Sequence, residues 1–164
     1  MNVVETLMRE VEELRRRLNN VVREGRVEEA DAKKGYRIAI GDGDDGPIKT
    51  TWVKRDESGG SLKTWAPLTK GQKVKLFSPN GEIGGNSLVV PHHYNEGHDQ
   101  PSENLEEPLF QAGGVTMRFS NGVLTIEGNL LIKGASVKHD DKDIGKTHKH
   151  GQVQPGGGQS GAPV

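Results

Sequence analysis

Apolar residues near the start of the chain recur with the period of a helix. Val4, Leu7, Val11, Leu14, Leu18 and Val21 stand 3, 4, 3, 4 and 3 residues apart, an a/d heptad stripe. Residues 3–24 are therefore expected to be helical, with Gly25 as a natural stop. With Val4, Val11 and Leu18 at position a, Glu10 at g lies five residues before Arg15 at e. Parallel coiled coils place opposite charges at that spacing. The stripe suits self-association, and it equally suits a single amphipathic helix packed on its own domain.

Beyond residue 25 the texture changes to short strands and turns. Residues 27–30, 36–40, 48–53, 74–77 and 87–90 are strand candidates, separated by stretches rich in Gly, Asp, Asn and Pro such as 41–47, 58–60, 79–81 and 84–86. Five short antiparallel strands over residues 26–95 suit a small closed barrel, and an OB-type barrel is the expectation. Such barrels often bind nucleic acid through a basic groove with stacking aromatics. Here Asp42, Asp44 and Asp45 stand among the few aromatic residues, so Trp52 and Trp65 are read as core or interface residues.

Residues 96–114 read as a linker. His92, His93 and His98 occur before and within it, with Glu96 and Asp99 nearby. Consecutive histidines point apart on an extended chain and no metal-ligand spacing is present, so these are expected to be solvated side chains.

Residues 115–144 carry a period of six. Leu124-Thr-Ile126-Glu-Gly128-Asn is followed by Leu130-Leu-Ile132-Lys-Gly134-Ala, and Asn121-Gly122 marks a turn before them. Leu124, Ile126, Leu130 and Ile132 fall on one face of an extended chain, and Thr125, Glu127, Asn129 and Lys133 on the other. A narrow hairpin with one apolar face is marginal in water. Short hexad-like strands are the mark of solenoids and β-helices, where stacked neighbours bury the stripe. With so few repeats in one chain, the neighbours are expected to be other copies, giving an intertwined trimer.

Composition supports borrowed burial. Of 164 residues 31% are hydrophobic, 4% are aromatic and 23 are glycine, too little apolar material for a large core. A net charge of −1 gives no electrostatic case for nucleic acid or anionic membrane. There is no cysteine, hence no disulfide framework or thiolate site. No leader sequence and no apolar run of bilayer-spanning length is evident, so a soluble protein made in a cytoplasm is expected. No nucleophile–base, paired-carboxylate or phosphate-loop arrangement stands at informative spacing, so the chain is read as a non-enzyme.

The candidate chemistry lies at the end, in residues 145–164. His148 and His150 are one residue apart, followed by a glycine-rich tail. On an extended chain the two imidazoles project to the same side. Two ligands seldom hold a metal alone, but three copies about a threefold axis supply six nitrogens in an octahedral cage. Exposed tail histidines are the plainer alternative.

The order of these parts resembles the phage baseplate assembly protein V family, the central spikes of contractile-tailed phages. The resemblance is carried by residues 22–31, Trp65-Ala-Pro67, residues 71–81, Val89-Val90 leading to Tyr94-Asn95, and above all His148-Lys-His150-Gly-Gln-Val-Gln-Pro-Gly-Gly-Gly158. It spans nearly the whole chain, with a stalk shorter than in many members. It implies a mainly β homotrimer: an N-terminal helix over 1–25, an OB-fold barrel over 26–95, a linker over 96–114, a triple-stranded β-helix stalk over 115–144 and a metal-binding apex over 145–164. It further implies one iron ion per trimer held by His148 and His150 of three chains. A second ion such as calcium is implied in the stalk, for which Asp140, Asp141 and Asp143 are possible carboxylates, although a solvated acidic run is the favoured reading. The implied partners are the tail hub and other baseplate proteins, and the host outer membrane, which is pierced rather than embedded in. The implied location is the virion, after assembly in the host cytoplasm. The alternative from a different class is an OB-fold binding module for single-stranded nucleic acid or sugar.

Overall fold

A computed structural model describes residues 2–41 and 46–145. Within them the protein is mainly β, with one N-terminal helix. The chain divides into two compact units, Met1–Glu103 and Asn104–Val164.

The first unit begins with α1 (Val3–Val21), capped by Asn2, whose side-chain oxygen accepts the Val4 amide at 3.1 Å. The helix stops before Gly25, the stop the sequence suggested. Val22 is already extended, at φ −133° and ψ 122°, and opens β1 (Val22–Asp31) without a spacer. Long-range pairing decides this boundary, since Val22 faces Phe77 and Gly25 faces Val74 on a neighbouring strand. Gly25 serves packing instead: a Cβ there would stand 2.5 Å from the Ala39 carbonyl oxygen.

After β1 come β2 (Gly35–Ile40), β3 (Ile48–Lys49), β4 (Lys54–Arg55), β5 (Lys73–Phe77), a single 3₁₀ turn Pro79–Gly81, and β6 (Leu88–Pro91). The strands form one sheet in the order β3-β2-β1-β5-β6-β4. All its pairings are antiparallel except β4 with β6. Because β3 and β4 belong to one run of chain, the sheet curls until its two ends come from the same segment. The run expected as one strand over 48–53 is broken in the middle. There the Thr50 hydroxyl accepts the Ile38 amide at 2.9 Å and the Thr50 amide donates to the Ile38 carbonyl at 2.9 Å. A bridge of Tyr36 with Val53 resumes the pairing.

The core of this unit is small and apolar: Val27, Tyr36, Ile38, Ile40, Val53, Leu68, Val74, Leu76 and Val89. Alternation along β2 places Tyr36, Ile38 and Ile40 inside. The one polar atom brought in with them is satisfied, because the Tyr36 hydroxyl accepts the Leu68 amide at 3.1 Å. Trp65 lies outside this core at 69% exposure, which removes the core half of its core-or-interface reading and leaves the interface half. Trp52 is half-buried, with Lys34 and Arg37 over its ring at 5.5 and 5.7 Å.

The second unit contains a meander of β7 (Leu109–Ala112), β8 (Val115–Ser120) and β9 (Val123–Glu127), followed by a small hairpin of β10 (Lys138–His139) and β11 (Lys142–Asp143). Strand β7 falls inside the stretch read as linker. Two-residue turns join the meander, Gly113-Gly114 and Asn121-Gly122, and all four residues have positive φ. That is the geometry of the tight turns whose twist matches paired strands. Register puts Phe110, Met117 and Ile126 opposite one another, with Phe119 opposite Leu124. The first half of the six-residue repeat is thus a strand. The second half, Leu130 to Gly134, has no strand partner among the described residues.

Candidate functional site

Three places were marked out by the sequence: the apolar stripes, the internal histidines and acidic run, and the terminal His-x-His pair. His148 and His150 lie outside the described residues.

The helix stripe is unpartnered. Val4, Leu7, Val11, Leu14, Leu18 and Val21 are 39% to 73% exposed, and no residue of α1 is buried. The helix joins its own unit through its polar side and its last turns. The Ser78 amide donates to the Val21 carbonyl at 2.9 Å. Gly81, at φ +70°, passes so close beneath Arg17 that a Cβ would stand 2.0 Å from the Arg17 carbonyl oxygen. Arg16 donates to Glu82 at 3.2 Å, and Arg16 and Arg17 both donate to Glu13, at 2.8 and 2.6 Å. Those two arginines, Arg16 foremost, hold the Glu13 carboxyl down at about 2. Of the two readings of the stripe, packing against its own domain is therefore not the one adopted.

The meander has a second uncovered face. Arg118 bridges Glu107 and Glu127 at 3.2 and 3.3 Å on one side. On the other, Phe110 and Phe119 meet edge to face, 6.0 Å between centroids, and both rings remain exposed, as does Leu124. Leu130, Leu131 and Ile132 are exposed as well. Sequence reading missed Phe110 as part of this face. Its signal was available, since Leu109–Ala112 sits between Pro108 and the Gly113-Gly114 turn.

The internal histidines do not converge. His92 pairs with Glu24 at 3.2 Å, His93 lies 3.4 Å from the Lys73 ammonium, and His98 Nε2 lies 2.9 Å from the Thr69 hydroxyl. Loss of solvation, then the neighbouring His92 and Lys73, hold the His93 imidazole below the ordinary histidine range. The buried His98 Nδ1 has no hydrogen-bond partner among the described residues. Asp140, at φ +50°, and Asp141 form the turn of the β10–β11 hairpin, and the Asp143 carboxylate accepts the Gly145 amide at 2.8 Å. Among the described residues no three His, Asp or Glu side chains of one chain group as a metal site.

No family model matches the chain, and no curated protein is similar enough to it to indicate kinship. Among the described residues no helix is long and apolar enough to cross a membrane.

Proposed function

We propose that three copies of this chain form the central spike of a contractile phage tail, a structural part of the baseplate rather than an enzyme. The observation that carries this reading is the amount of ordered apolar surface left uncovered. The chain folds into elements of regular geometry, yet among the described residues the helix stripe, and Phe110, Phe119 and Leu124 on one face of the meander, stay exposed. Contiguous apolar surface of that kind marks an interface. The curled sheet agrees with an OB-fold barrel: its long first strand is shared between β2 and β5, and a parallel β4–β6 pairing closes it. The meander and the unpaired repeat after it agree with strands that complete a triple-stranded β-helix when three chains wind together.

In this reading the barrel end joins the tail hub and other baseplate proteins in the virion, and the stalk is driven through the host outer membrane. The chemistry of the donor set fits an octahedral ion at the apex, since His148 and His150 from three chains offer six imidazole nitrogens. Bound iron there cross-links three chain ends, and any ion that binds only the assembled form stabilises it by mass action. Asp140, Asp141 and Asp143 serve as turn and capping residues within one chain; a calcium site in the stalk draws on them only by combining copies.

Elemental analysis of the purified protein beside light scattering tests this. A trimer with one iron per three chains is expected, and a metal-free monomer sinks the proposal. The variant His148→Ala/His150→Ala should lose the metal and keep the trimeric mass, because the stalk faces bury far more surface than the tip. The exposed Trp65 is the observation that favours the second reading, a module binding single-stranded nucleic acid or sugar. Salt-dependent binding to single-stranded DNA that Trp65→Ala abolishes would establish it.

A further inference from the structure

The helix stripe has no cover within its own unit, and the sequence outside the described residues offers none. Residues 42–45 contain only Asp and Gly, and residues 146–164 contain two valines and no leucine, isoleucine or aromatic side chain. Most of a helix's stability in a protein comes from packing of its amphipathic face, and in α1 that face is exposed. We infer that the occupant is two further copies of the same helix, in a parallel, in-register, three-stranded coiled coil over α1 that sets the alignment of the chains at the N-terminal end. The inference rests on the trimer reading above.

Direction follows from charge. Glu10 at g meets Arg15 at e of the neighbouring helix only when the helices run parallel. The cation on the g edge, Arg17, is engaged by Glu13 of its own helix and faces Glu82 of its own unit, so it does not supply the contacts an antiparallel pair needs. Strand number follows from the width of the seam. Val3 at g and Met8 at e are apolar and 72% and 63% exposed, which widens the stripe beyond the narrow a/d seam of a dimer. The first two heptads, Val4/Leu7 and Val11/Leu14, carry the β-branched-a, Leu-d pattern that by itself favours two strands, and the last, Leu18 at a and Val21 at d, reverses it; the count of three rests on the wider seam and on the trimer reading. The contacts of Glu13, Arg16 and Arg17 with the turn at Gly81 and Glu82 lie beside the stripe, where Asn80 borders Leu14, Leu18 and Val21, yet these three side chains stay exposed and open to neighbouring helices.

The chain has no cysteine, so single substitutions report contacts cleanly. In the full-length protein, Leu14→Cys at d should oxidise to covalent dimers, with Glu12→Cys at b as the outward-facing control. The apposed pair should form its disulfide at least about tenfold faster than the control, because pairing raises the effective thiol concentration. Equal rates in a protein whose light-scattering mass is trimeric overturn the coiled coil and leave the spike reading standing. A monomeric or dimeric mass for the unmodified chain overturns both.

Discussion

The two units solve the problem of burial in opposite ways. The curled sheet completes its own interior: among the described residues, all nine buried hydrophobic side chains lie between Val27 and Val89. The meander has strands just as regular, with two tight turns and full register, but its only buried residue is Thr116. The difference is not one of composition, since Phe110, Met117, Phe119, Leu124 and Ile126 are ample material for a face. A sheet closes on itself only if its ends can meet. Three short strands cannot curl that far, so their apolar face waits for a partner. The first unit covers its own core, and the second leaves its apolar face exposed, which is the basis for proposing it as one component of an interface.

The largest effects expected divide along that line. Leu76→Ala, at a fully buried position, should cost the first unit about 2–5 kcal/mol in denaturant melts. Leu131, 77% exposed, should behave in the reverse way. Leu131→Asp should leave the melting of the first unit unchanged and lower the assembled mass seen by light scattering. Equal destabilisation of the first unit by both variants would erase the distinction.

A smaller effect probes how the helix is held. Gly81→Ala places a side chain at φ +70° and against the Arg17 carbonyl, so either the turn or the helix end must move. A loss of roughly 1–3 kcal/mol is expected for strain of this kind, together with faster proteolysis between α1 and β1. Wild-type behaviour would show that the helix end is not seated on Gly81.

The smallest effect sits in the loop that carries the exposed Trp65. Glu57 accepts the Thr64 hydroxyl and, at 2.8 Å, the Ala66 amide, with Arg55 beside it at 3.1 Å. Those contacts, the Thr64 bond first, lower the Glu57 carboxyl below its ordinary value of 4.5. A depressed folded value stabilises the loop fully above the ordinary value, and the contribution is lost as pH falls through the folded one. Trp65 emission in a Trp52→Phe background should therefore change on acidification below 4.5. In Glu57→Gln that step should be absent, and an identical transition in both proteins would assign it to another group.

Local signals in the sequence carried the parts of the fold that are local. The 3–4 spacing of the stripe, the alternation at Tyr36, Ile38 and Ile40, and Asn121-Gly122 each correspond to the observed helix, inward-facing strand and turn. What escaped was set by distant partners. The helix ends at Val21 because β5 captures Val22, and no residue nearby announces it. Strand β7 exists because β8 folds back on it. The 48–53 run breaks because the Thr50 side chain takes the place of a backbone partner for Ile38, which alternation alone cannot reveal. Trp65 borders a cleft with Asp31 and Tyr36, distant in sequence, so nothing in its chain neighbours foretold its exposure. At the candidate sites, the stripes were legible as apolar faces, and the six-residue repeat was already too narrow to cover itself within one chain; for the helix two readings stood level, because coverage there is a property of the whole fold.

The direct passage from Val21 to Val22 bears on mechanics. A glycine-rich spacer would let a helix bundle and the sheets beneath it rotate independently, so pairing the helices would merely keep the chains near one another. With no intervening residue, and with the Val21 carbonyl held by the Ser78 amide, torque applied to one element is delivered to the other. If the chain serves as the proposed spike, such a joint has no free play to take up before a thrust along its length is felt.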